Sequence, residues 1–144
     1  MSTVKTAKDA LISLLEGDAD LITFGLKEVV EIFRDKVPAE DHPYIVINPS
    51  RNEEISTNVR TPQTLQLYID IGMAIYDDDN ATQLDSLLEF ERLVKVAISN
   101  DSTLGDEVIT VKLLETEYTN QLWPTRMAVM TARIDYRQDY LTRN

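Results

Sequence analysis

The 144-residue sequence predicts an α+β fold: one curved, mostly antiparallel sheet flanked by two main helices, in the order α-β-β-β-α-β-β, as a single domain over residues 1–144. Three observations predict it. From Thr64 to Tyr76 the odd positions Leu65, Leu67, Ile69, Ile71, Met73 and Ile75 are all apolar and the even positions are mixed, the period-2 mark of a half-buried strand. From Leu84 to Ile98 apolar residues recur at helical spacing instead. The strand-like runs are joined by short turn-forming segments, which favour antiparallel pairing, and two helices suffice to cover one face of such a sheet.

The elements follow in order. Val4, Ala7, Leu11, Leu14 and Leu15 share one face of a first helix, which Ser2 or Thr3 caps and Gly17 ends. Asp18 to Val37 is open to two readings. Its residue count suits a second helix, whereas the β-branched run Glu28 to Phe33, between Gly25 and Pro38, reads as a strand, and the predicted order adopts the strand. Tyr44 to Ile47 is a short strand fenced by Pro43 and Pro49. Arg51 to Gln63 is polar and without period, a long loop of the kind that carries function. After the strand ending at Tyr76, the acids Asp77, Asp78 and Asp79 suit the positive end of a helix. Asn80 with Gln83, or Thr82 with Asp85, forms its capping box. Leu84, Leu87, Leu88, Phe90, Val94, Ala97 and Ile98 make its apolar face, through to about Ser99. Val108 to Tyr118 is a strand with Ile109, Val111 and Leu113 on one side. Thr119 to Pro124 is a turn, and Arg126 to Tyr140 is a last, two-sided strand whose Ala128, Met130, Ala132, Ile134 and Tyr136 share a face.

Composition narrows the function classes. An apolar fraction of 43% supports a real core, and no apolar run approaches the roughly 20 residues that cross a bilayer. The N-terminal stretch lacks the regions of a signal peptide, so the chain is expected to stay in the compartment where it is made. Without cysteine there is no disulfide, thiolate metal site or cysteine nucleophile. A net charge of -11 with scattered bases argues against affinity-bearing contact with nucleic acid.

Motifs of catalysis are scarce. The single histidine, His42, has Glu40 and Asp41 beside it, and reads as a loop histidine before a proline sooner than as a general base. The acids of the Asp77 segment are consecutive, without the central glycine and terminal glutamate of a calcium loop. The four glycines form no phosphate-cradling loop. Gly72, inside a strand, marks either a bend where the sheet curls or an interface. Trp123 either closes the core or serves an interface. No catalytic residue, metal ligand or cofactor is assigned.

The ordered set resembles the tail terminator, or tail completion, proteins of long-tailed bacteriophages. The carriers are the amphipathic helix ending in LISLLEGDADL, the strand EVVEIF, HPYIVINPS after Pro38, and a polar loop before the alternating strand LQLYIDIGMAIY. The helix TQLDSLLEFERLVKVAI follows, then two strands ending in TARIDYRQDY. The likeness spans nearly the full length. It implies a virion protein assembled in the host cytoplasm, a homo-oligomer, most simply a hexameric ring, that caps the head-proximal end of the tail tube. Such a ring stops tube polymerisation and presents an interface to the head-connector or neck protein. Contact with a sheath protein is implied for contractile tails. DNA passes through the lumen without specific binding, and no cofactor, catalysis or membrane is involved. Residues expected at contacts are Arg51, Asn52, Glu53, Glu54, Arg60, Gly72, Trp123, Arg133 and Arg137. Deleting Asn52 to Asn58 is expected to spare folding and abolish tail joining. Alternative readings are a neck or head-completion adaptor, a sheath terminator, a non-viral domain that binds partners by strand addition, and an enzyme with a carboxylate site.

Overall fold

The computed structural model describes residues 3–31, 37–54, 63–118 and 125–138. Helix α1 spans Val4–Glu16, capped by Thr3, whose hydroxyl accepts from the Thr6 amide while the Thr6 side chain accepts from the Thr3 amide. Ala7, Leu11 and Leu15, one turn apart, are fully buried, and Gly17 stands at the C-cap. The ambiguous segment resolves into both readings. A short helix α2, Ala19–Phe24, is capped by Asp18, which accepts from the Leu21 amide, and is stopped by Gly25 at a left-handed φ of 111°. A three-residue strand β1, Glu28–Val30, follows; the expected strand end at Phe33 lies outside the described residues.

Strand β2 is Tyr44–Glu54 and β3 is Gln63–Tyr76. Helix α3 is Asn80–Asn100, β4 is Thr110–Tyr118 and β5 is Thr125–Gln138. The five strands form one sheet in the order β1-β2-β3-β5-β4. Every pairing is antiparallel except β1 with β2. That exception follows from connection length: residues 31–43 separate the two strands, enough chain to return to the same end. Strand β3 outruns the usual 5–6 residues, but not its own sheet. It pairs with β2 from Tyr44 to Glu54 on one side and with the whole of β5 on the other. Its length is absorbed within the subunit.

All three helices lie on one face of the sheet. There Leu65, Leu67, Ile69, Ile71, Met73 and Ile75 of β3 pack with Ala128, Met130, Ala132, Ile134 and Tyr136 of β5 beneath the buried stripes of α1 and α3. Each large side chain hidden this way contributes roughly 1.5–3 kcal/mol. Three local expectations are corrected. Asp79, not Asn80 or Thr82, caps α3: its carboxylate accepts from the Ala81 amide at 2.9 Å; Asp77 gathers the hydroxyls of Thr82 and Ser86 and the amide of Asp79. Leu84 and Leu88 are about two-fifths exposed, since the helix turns Gln83 and Glu91 inward in their place. Ile109 precedes β4 and is exposed, because the turn at 101–107 delivers Val108 to the core instead.

Candidate interaction surface

The face of the sheet away from the helices is the open face. Its two halves differ. At the end near Tyr44 and Ala74, these residues and Val46 form a second apolar cluster with Val30, Val37 and Met127. His42 belongs to this end: it is buried, its Nδ1–H donates to the Pro38 carbonyl at 2.9 Å, and its ring meets Tyr44 edge-on at 5.0 Å. Its polar partner is thus a backbone carbonyl rather than Glu40 or Asp41. Gly72 sits between Val46 and Val129, paired in regular register on both sides. The strand carries no bulge there.

The other half is polar, and a bulge decides its composition. The pairing of β2 with β3 slips by one residue between Pro49 and Arg51, and the extra residue, Ser50, donates to the Tyr68 carbonyl at 3.2 Å. Before the slip, Tyr44, Val46 and Asn48 face the open side; after it, Arg51 and Glu53 do. Strict alternation from Tyr44 would have turned Asn52 and Glu54 outward. Instead Asn52 lies opposite Leu67 on the helix side, where it accepts from the Tyr136 hydroxyl at 3.1 Å. The expected loop at Arg51 is therefore strand as far as Glu54. A deletion starting at Asn52 removes paired residues, so the expectation that it spares folding is withdrawn.

Four strands contribute to one straight rung on this half: Arg51, Tyr68, Arg133 and Lys112 lie directly opposite one another on β2, β3, β5 and β4. Arg51 stacks over the Tyr68 ring, 4.1 Å from its centroid, and pairs with Glu53 at 3.2 Å. Arg133 turns along its own strand to Asp135, with contacts of 3.1 and 3.4 Å. Asp70 accepts from the Thr131 hydroxyl at 3.4 Å, and Arg137 stands opposite Thr64. Lys112 has no ion-pair partner among the described residues and faces a like charge, Arg133. Opposed like charges destabilise a strand pair. Lys112→Glu is therefore expected to stabilise the fold by about 0.2–1 kcal/mol, read as a higher denaturant midpoint; an unchanged or lower midpoint would show that the two cations do not sense each other.

The sequence-predicted contact residues thus divide. Arg51, Glu53, Arg133 and Arg137 are brought together on the open face; Gly72 lies on its other half; Asn52 falls on the helix side; Glu54 is placed by register opposite Leu65; Arg60 and Trp123 lie outside the described residues. Sequence reading missed Lys112, whose place on the rung depends on β4 pairing with β5, and Glu91. The Glu91 carboxylate, nearly buried on α3, accepts from the Tyr118 hydroxyl at 2.7 Å and meets Lys95 at 3.3 Å. Burial works against its charge, but Thr116, Tyr118 and Lys95 outweigh this and lower its pKa. The same bond raises that of Tyr118.

A groove of about 610 Å³ between α1 and the 101–107 turn is rimmed by Asp9, Asp101 and Glu107 over Ala10, Leu14 and Leu104. Asp9 is engaged by Lys5 and Lys8, and Asp101 accepts from the Gly105 amide. Among the described residues no three His, Asp or Glu side chains gather to hold a metal ion, and no helix is long and apolar enough to cross a membrane.

No protein-family model matches the sequence. No curated protein matches it either. Among solved structures, the fold is similar to a chain from the virion of a native gene transfer agent particle, with a TM-score of 0.56 and 12% sequence identity. The likeness covers 91% of this chain and 94% of that one. At that identity, what the two chains share is the fold.

Proposed function

We propose that this chain is a structural protein of a phage-like particle, and within it the tail terminator. It forms a homo-oligomeric ring, a hexamer on this reading, on the head-proximal end of the tail tube, halts tube growth and offers the head-connector protein its seat. The observation that carries the virion role is the fold shared, almost end to end, with a chain of a gene transfer agent virion. The narrower terminator role rests on the ordered motifs of the sequence, from the amphipathic first helix to TARIDYRQDY. The architecture suits a ring component: a sheet backed by helices on one side, with the polar half of its other face carrying the exposed Arg51 and Glu53. An acidic ring surrounds DNA without gripping it, since like charges repel at close range.

The test is to mix the purified protein with its own polymerising tube protein and view the products by electron microscopy. Tubes that carry one ring at one end and stop growing are the expected result. Tubes that elongate uncapped overturn the terminator role and favour a neck adaptor.

A further inference from the structure

The polar half of the open face is striped. Along the strands, successive outward rungs carry Arg137; then Glu53 and Asp135; then Arg51, Arg133 and Lys112; then Asp70. The sign alternates at every step of two residues, about 6.8 Å. Four cations stand against three carboxylates, so the face has little surplus with which to draw a polyanion such as DNA to a chain of net charge -11. What it complements is a surface bearing the same stripes in the reverse order.

We propose that this face docks a second copy of the chain, related by a two-fold axis that crosses the strands at Leu67, midway between the acidic rung and the basic one. Such an axis keeps each strand over its own counterpart and reverses its direction. Arg51 then faces Glu53 of the second copy and Glu53 faces Arg51. Arg133 and Asp135 are exchanged in the same way, and Tyr68 covers Gln66. Lys112, without an ion-pair partner among the described residues, comes within one strand spacing of the opposing Asp135. The contact is self-complementary, as a two-fold interface requires. Facing sheets stand about 10 Å apart, a gap that an arginine reaching toward a carboxylate closes. The β2 column is the more open, with Arg51 58% and Glu53 47% exposed against 21% and 15% for Arg133 and Asp135. This pairing does not depend on the ring reading; it is a contact between copies in solution.

The experiment is sedimentation velocity at low salt on four samples: wild type, Glu53→Arg, the double exchange Arg51→Glu with Glu53→Arg, and a labelled one-to-one mixture of wild type with the double exchange. Melting temperatures confirm that each variant folds. Wild type is expected to be a dimer that salt weakens. Glu53→Arg sets Arg51 against an arginine and weakens it by about tenfold or more. The double exchange restores complementarity with itself and regains the dimer, yet forms no mixed dimer with wild type, because every exchanged pair is then like-charged. A merely structural role for these residues predicts no such rescue and no such exclusion. Wild type that stays monomeric, or a double exchange as weak as the single one, overturns the proposal. So does a larger oligomer indifferent to all the substitutions, which would leave the ring reading standing. A charge-dependent dimer that leaves tubes uncapped would remove the ring reading alone.

Discussion

Replacing Phe90 with alanine is expected to destabilise the protein by about 3–5 kcal/mol, the usual cost of emptying a buried aromatic site. Phe90 is fully buried on α3, and its ring stacks on Phe24 at 5.3 Å with the planes 20° apart. Phe24 is the last residue of α2, so this stack ties a six-residue helix to the core. So short a helix does not hold itself together in water. The truncation therefore leaves a cavity and also loosens the chain that leads from α1 into β1. Thermal denaturation followed by circular dichroism should show the midpoint falling by about 10 °C or more. Phe90→Leu, which keeps most of the volume, should cost markedly less. A loss below about 1 kcal/mol for the alanine variant would mean that the α2–α3 contact does not hold the fold together.

The second large effect is expected at Glu91. Removing this carboxylate by Glu91→Ala deprives the Tyr118 hydroxyl and Lys95 of their partner at a place where α3 is clasped to β4 by a charge. A hydrogen bond to a charged group contributes about 1.5–3 kcal/mol, and the loss should fall within that range because Lys95, nearly half exposed, rehydrates readily. The pH dependence has a definite sign. The folded-state pKa of Glu91 lies below its unfolded value. Its contribution is therefore complete above the unfolded value and is lost as pH falls through the folded one. Denaturant midpoints of wild type and Glu91→Ala should differ most at neutral pH and converge on acidification. A gap that shows no decline on acidification, or that widens, would contradict the assignment.

Much of this architecture is legible residue by residue. The alternation Leu65 to Ile75 identifies the central strand, because a buried face admits only side chains two apart. The repeat Ala7, Leu11, Leu15 identifies α1, and the acids before Asn80 announce α3. The candidate face is less legible. Arg51, Glu53, Arg133 and Arg137 stand out as charges flanking strand-like runs, but neither their common face nor the rung they form with Lys112 is written in their spacing. The one-residue bulge at Ser50 exchanges which side chains of β2 look outward, and a bulge of that kind is set by the twist and pairing of the neighbouring strand. Glu91 escapes for a similar reason: on a helix of mixed shoulders, which of Leu88 and Glu91 turns inward depends on a tyrosine 27 positions away.

The α+β class, the central strand, the two main helices and the acidic balance are written in the chain locally, because periodicity and charge are local properties. That β1 runs parallel to β2, that β3 is enclosed on both edges, and that the outward charges fall into stripes of alternating sign emerge on assembly of the sheet. Those outcomes depend on register between segments far apart in sequence, and register is selected by the pairing energy of whole strands rather than by any residue alone.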